Sequence, residues 1–217
     1  MISLTPGPAG ADDAAAKGAI RQANEALILA AAERVFAGAG FGGATMAAIA
    51  EAAGLPKANL HYYFGSKQAL YRAVLARILA DWLVPAHGIT AEADPRQAIE
   101  RYIRAKMALS AGRPHASRVF ANELLHGAPV LGPLLAAELR PMVREKAAVL
   151  QGWADAGRMA PVDGLHLLVT IWSATQTYAD FEVQVSAVLD APSLAPAAHA
   201  RATEHVVALI LRGCGLL

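Results

Sequence analysis

The sequence predicts an all-α fold in two parts: an N-terminal three-helix domain built on a helix-turn-helix, and a larger helical domain after it. Three observations predict it. Ala and Leu dominate the 217 residues, while β-branched runs and strand-like alternation are scarce. The stretch Thr45 to Lys67, TMAAIAEAAGLPKANLHYYFGSK, reads as two short helices about a tight turn. Beyond residue 94, five segments with helical spacing are each bounded by Pro or Gly.

Taken in order, residues 1–22 are rich in Gly, Pro, Ala and Asp and read as a flexible arm. No basic start precedes an apolar core there, so it is not a signal peptide. Lys17 and Arg21 are within reach of a nucleic-acid partner, although a solvated tail is the plainer reading of them. Residues 23–88 form the first domain. Glu25 to Ala39 is an amphipathic helix with Ile28, Ala31, Ala32, Val35 and Phe36 as its stripe. Gly38, Gly40, Gly42 and Gly43 punctuate its end, but no Gly-Lys-Ser/Thr follows and no strand precedes, which excludes a phosphate loop.

Thr45 caps a helix that turns Ile49, Ala50 and Ala53 to one side. Gly54 supplies the left-handed stop, and Pro56 suits only the start of the next helix. That helix, Lys57 to Phe64, has Leu60 and Phe64 to bury and leaves Lys57, Ala58, Asn59, His61 and Tyr62 on its other faces. Spacing alone also fits a helical hairpin inside any all-α domain. Composition favours DNA, because a short helix carrying Lys, Asn, His and two Tyr offers donors for base edges and phosphates. Ser66 caps a longer helix from Lys67 to about His87, and Ile89 to Asp94 reads as a polar joint and domain boundary.

The order Phe36, Gly40, Thr45, Ile49, Ala50, Ala53, Gly54, Leu55, Lys57, Leu60, Tyr62, Tyr63, Phe64, Ser66, Lys67, Leu70 resembles the N-terminal domain of the TetR family of transcriptional regulators. The resemblance implies that Lys57, Ala58, Asn59 and Tyr62 face the bases. It implies that Thr45, His61, Tyr63 and Lys67 hold the phosphate backbone. Two positions depart from the pattern: Pro56 stands where the family often has a Ser cap, and Ala47 where some members have a long polar side chain.

Composition bounds the partners. Apolar residues make up 55%, yet no uninterrupted run approaches the roughly twenty needed to span a bilayer, so no membrane partner is expected. A single cysteine, Cys214, excludes an internal disulfide framework and fits the cytoplasm. A net charge of +1 lends no support to nucleic-acid binding, which must rest on a few placed cations.

Residues 89–217 read as a helical domain for ligand binding and dimerisation, with helices over Pro95 to Gly112, Pro114 to Gly127, Leu131 to Gly157, Asp163 to Leu189 and Ala195 to Gly213. Projected at about 100° per residue, the fourth has two apolar faces. Leu165, Leu168, Trp172, Gln176, Ala179 and Val183 fall on one side, and Leu167, Ile171, Ala174, Tyr178, Phe181 and Val185 nearly opposite. A helix apolar on two faces must be covered on both. One packs within the subunit and the other, with the last helix, against a second copy, giving a homodimer through 163–189 and 195–213. A dimer also suits two recognition helices reaching half-sites about one duplex turn apart on double-stranded operator DNA.

Gln176, one turn from Trp172, interrupts the inward face. Two readings stand: an amide bonded to neighbouring backbone beside a core Trp, or a pocket for a flat ligand with adjacent donor and acceptor. YIRAKMALS (102–110), ASRVFANELLHGAP (116–129), GWADAGRMAPVD (152–163) and IWSATQTYADFEVQV (171–185) resemble pyrimidine-responsive repressors within the same family. The implied effector is uracil or thymine, with Gln176 pairing the imide edge and Trp172 packing on the ring. Trp82, Ser117, Arg118, Asn122 and Tyr178 are further pocket candidates, although Arg118 also suits a pairing with Glu123 or Glu145, and projection puts Tyr178 on the dimer side.

Nothing converges for catalysis. His115 and His126 stand about 16 Å apart along a helix, and His166 and His205 lack a ligand partner at i+3 or i+4. Ser173 has no nucleophile-elbow context. The chain is expected to be no enzyme and to carry no metal or cofactor; a helical interaction protein with a degenerate helix-turn-helix is the rival from another class.

Overall fold

The computed structural model describes the chain from Ala9 onward, with side chains from Ala16, and every described element is helical. The chain divides into two compact units, residues 1–74 and 75–217. The division falls within a helix rather than at the boundary read at 88/89.

In the first unit, α1 (Ala9–Gly43) starts well before Glu25, so residues 9–22 of the expected arm are helical; residues 1–8 lie outside the described residues. At Gly40 the backbone leaves helical geometry with φ 68° and ψ 174°, a conformation open to a residue without Cβ, and the helix kinks there. From Ala16 to Gly43 this helix has the length and composition to cross a bilayer. Its Ile28, Ala31, Ala32 and Phe36 are instead buried in the unit, and Glu33 and Arg34 interrupt its apolar character. Helix α2 (Met46–Ala53) opens on Thr45, whose hydroxyl accepts the Ala48 N–H at 3.1 Å, and closes on Gly54 in the left-handed region. There the Leu55 N–H reaches the Ala50 carbonyl at 3.1 Å, which fixes the turn into α3 (Lys57–Phe64). The aromatic trio Phe36, Phe41 and Tyr71 closes the core, with Phe36 edge-on to Tyr71 at 4.8 Å.

Helix α4 (Lys67–Leu83) runs through the division and continues into a tighter 3₁₀ turn at Val84–Gly88. The segment 89–94 is no free joint. Ile89 is buried, Trp153 Nε1 donates to the Ala91 carbonyl at 3.1 Å, and Arg158 donates to those of Ala91 and Ala93 at 2.8 and 2.6 Å. The second unit then comprises α5 (Pro95–Gly112), α6 (Pro114–Leu125), the short α7 (Gly132–Leu134), a π-helical turn at Leu135–Leu139, α8 (Arg140–Asp155), α9 (Gly164–Asp180), α10 (Glu182–Leu189) and α11 (Pro196–Gly213). Its core is Ile99, Tyr102, Ile103 and Met107 of α5 against Leu150 and Trp153, Leu168 and Ile171, and Val206, Val207, Ile210 and Leu211.

Two expected helices are interrupted. The run from Leu131 to Gly157 widens into the π turn just ahead of Pro141, which has no N–H to give back to the preceding turn. The run from Asp163 to Leu189 breaks at Phe181 (φ −115°, ψ 36°), separating α9 from α10. The break also corrects the two-faced projection. The buried stripe of α9 is Leu168, Ile171, Thr175 and Ala179, so Ile171 belongs to the subunit core and Leu165 is exposed.

Candidate functional site

The first unit presents a polar helix face. On α3 only Leu60 is fully buried; Lys57, Ala58, His61 and Tyr62 are exposed, and Asn59 and Tyr63 half-buried. Tyr62 stands out from the unit at 75% exposure, its ring edge-to-face with Tyr63 at 5.2 Å. Lys57 and Tyr62 make no hydrogen bond or ion pair among the described residues, so the fold does not need their polar atoms. Four of the other expected DNA contacts, Thr45, His61, Tyr63 and Lys67, also make bonds within the unit. The Tyr63 hydroxyl accepts from Asn24 Nδ2 at 3.3 Å. His61 Nδ1 lies 3.0 Å from the Gly65 carbonyl, which can only accept, so this nitrogen carries a proton. Lys67 Nζ donates to the carbonyls of Phe41 and Ala44 at 2.8 and 3.0 Å and lies 4.6 Å from the Phe41 ring centroid. It fastens the end of α1 to the start of α4, a role the sequence did not reveal. The extended α1 brings Lys17, Ile20 and Arg21 to a groove shared with Tyr62 and Tyr63. Cations thus gather beside α3 although the whole chain is nearly neutral.

The second unit holds a cavity of about 50 Å³. Its wall is built from the end of α4 (Leu79, Trp82, Leu83), from α5 (Tyr102, Lys106), from Phe120, from Leu139 and Met142, and from Trp172 and Gln176 on α9. The three expected residues Trp82, Trp172 and Gln176 therefore meet in one place. The Gln176 amide makes no hydrogen bond among the described residues, so the reading of it as a backbone-bonded core amide falls away. Trp172 Nε1 donates to the Tyr102 hydroxyl at 2.7 Å. Burial pushes the Tyr102 phenol up to about 12 against the smaller lowering effect of that bond, so it stays neutral and holds the indole in a fixed orientation.

The sequence missed Tyr102 and Lys106, one turn apart on α5. Lys106 is 4% exposed, and its ammonium sits 4.5 Å from the Trp82 ring centroid. Burial lowers it to about 8, and the charge of Asp180 works the other way. Burial raises the Asp180 carboxyl, which the Ser117 hydroxyl partly offsets by donating to it. The signal was present: a Lys inside the stripe Ala98, Ile99, Tyr102, Ile103, Met107 is a charge where the pattern demands an apolar residue.

The remaining candidates stand elsewhere. Ser117 is fully buried against Asp180, behind the cavity rather than on its wall. Arg118 lies 3.8 Å from Glu182, not beside Glu123 or Glu145; Glu123 instead accepts the N–H groups of Val130 and Leu131. Asn122 is half-buried on α6 and outside the lining. Tyr178 faces a second, open groove with Phe181, Val185, Val188, Leu189, Val206 and Leu209, the side on which projection placed it. Phe181, Val188, Leu189 and Leu209 of that groove, and neighbouring Val183, are exposed.

Residues 28–74 match the family model described as bacterial regulatory proteins, tetR family, and residues 75–217 match that of the YcdC-like protein, C-terminal region. The HTH-type transcriptional regulator RutR of Escherichia coli K12 is 43% identical over 191 residues, covering 88% of this chain and 90% of its own length. Among solved structures, the ketosteroid transcriptional regulator KstR2 of Mycobacterium tuberculosis aligns with a TM-score of 0.69 at 18% identity, over 88% of this chain and 94% of that one. The regulator PfmR of Thermus thermophilus aligns with a TM-score of 0.67 at 21% identity, over 85% and 94%. At such identities these two structures speak for the fold alone.

Proposed function

Because the chain belongs to the TetR family of bacterial regulatory proteins and is a ligand-responsive transcriptional regulator, we propose that its effector is a pyrimidine base, uracil or thymine, which releases it from operator DNA. The observation that carries the effector is the free Gln176 amide on the wall of a small aromatic cavity. An imide edge alternates acceptor, donor, acceptor, and one amide pairs two neighbouring atoms of it. Trp172 and Trp82 supply flat apolar surface for the ring, and a cavity this size suits a compact ring over an extended chain.

The α3 face carries the DNA side of the reading, with Lys57, Ala58, Asn59 and Tyr62 toward base edges and Thr45, His61, Tyr63 and Lys67 toward phosphates. On this reading the protein works in the cytoplasm, as a repressor. The route between ligand and DNA runs along α4, whose last turns carry Leu79, Trp82 and Leu83. A ligand that binds more tightly with α4 in one placement than in another shifts the population toward it, and operator affinity falls by the same coupling.

Calorimetric titration with uracil and thymine tests the effector. Micromolar binding is expected, weakened about ten- to a hundredfold in Gln176→Ala, since the imide then buries unpaired groups. No heat from either base sinks the effector assignment. The homodimer rests on the exposed groove between α10 and α11, whose apolar side chains need cover. Leu209→Asp is expected to turn a dimer into a monomer in sedimentation velocity, and a wild-type monomer would refute the seam.

A further inference from the structure

Lys106 carries a charge on the cavity wall, and the proposed function assigns it no part. It is more than nine-tenths buried, yet among the described residues its ammonium meets no hydrogen-bond acceptor and no ion-pair partner. The Trp82 ring offers its face to the charge, and Asp180 acts on it only from a distance. Three N–H donors are thus left beside the cavity, and a buried charge retained without an acceptor is costly unless a ligand supplies one. The polar groups of the wall are unbalanced in the same sense. Gln176 offers one donor group and one acceptor, the Tyr102 hydroxyl oxygen accepts from Trp172 and keeps its own O–H to give, and the buried Trp82 indole N–H has no partner. Donors outnumber acceptors, so the wall asks for a ligand rich in acceptors.

On the reading of the effector as a pyrimidine base, Gln176 can pair with N3–H and one neighbouring carbonyl of the ring. The second carbonyl then needs a donor from elsewhere on the wall, where the Lys106 ammonium is the charged one. We propose that Lys106 selects the effector by donating a hydrogen bond to the exocyclic ring oxygen that Gln176 leaves unpaired, so that the cavity takes dioxo rings ahead of mono-oxo rings. A ring lacking that oxygen leaves the ammonium unpaired when the cavity closes over it, and the site rejects it for what it fails to accept. Removing the ammonium removes the reason for the rejection.

The test is a ligand-and-residue cycle. Uracil, 2(1H)-pyrimidinone and 4(3H)-pyrimidinone are titrated calorimetrically into the full-length wild type, Lys106→Met and Lys106→Leu. Each mono-oxo ring keeps one amide edge for Gln176 but has lost one of the two oxygens. Wild type is expected to prefer uracil by about tenfold or more over at least one of them. In the variants uracil weakens and that preference falls to within about threefold. Replacing a buried charge by an apolar side chain of similar volume is often neutral or stabilising, and thermal unfolding confirms that each variant is folded. Folded variants that keep the wild-type preference overturn the role of Lys106 alone. Wild type that binds uracil and both mono-oxo rings equally does the same. Wild type that binds none of the three overturns the pyrimidine reading along with it.

Discussion

The double variant Lys57→Ala/Tyr62→Ala is expected to lose operator affinity by about thirtyfold or more while melting at the wild-type temperature. Both side chains are exposed, and neither makes a polar contact that the unit needs. Removing them therefore costs the fold little, as surface substitutions generally do. Each base-edge contact is worth about 1–3 kcal/mol of discrimination, so two lost together carry about one and a half to four decades. The measurement is a binding isotherm at fixed salt, because affinities for DNA compare only at one salt concentration. Lys67→Ala gives a contrast. Its ammonium bridges the Phe41 and Ala44 carbonyls, so operator affinity and stability are expected to fall together. Unchanged operator affinity in the double variant would return α3 to an ordinary structural helix.

Phe36→Ala is expected to destabilise the first unit by about 3–5 kcal/mol, the cost of emptying a large buried aromatic site. Phe36 is 1% exposed and packs against both Phe41 and Tyr71, one from beyond the Gly40 kink and the other from α4. Denaturant unfolding followed by circular dichroism would show an early transition lost from the first unit, with operator binding lost alongside. Retention of both would mean that the trio is peripheral to the core.

The helix-turn-helix was legible because its punctuation is local. Thr45, Gly54, Pro56 and Ser66 fix both short helices through contacts within a few residues, and the structure places α2 and α3 where the spacing does. Trp82, Trp172 and Gln176 were legible as pocket residues partly through resemblance. Lys106 and Tyr102 were not, since they become neighbours of Gln176 only when α5 packs on α9, a relation no single-helix projection contains. Arg118 shows the same limit: the expected pairing with Glu123 or Glu145 gives way to Glu182 of α10 once the helices pack. The breaks had weaker signals. Pro141 marked the widened turn before α8, whereas Phe181 carries no helix-breaking chemistry and gave no such mark. Thr175 hid because a hydroxyl that donates to Ile171 one turn back, at 2.8 Å, is satisfied in the core like an apolar residue.

Two of the chain's three tryptophans line the cavity, and the third, Trp153, is fastened to the Ala91 carbonyl in the core. The protein therefore carries its own optical gauge. A ring bound in the cavity is expected to change the emission of those two indoles and to leave Trp153 as a constant background. Since Trp82 closes α4 and Trp172 belongs to α9, replacing either by Phe separates the signal of the helix that leads toward the DNA-binding unit from that of the helix that holds the amide.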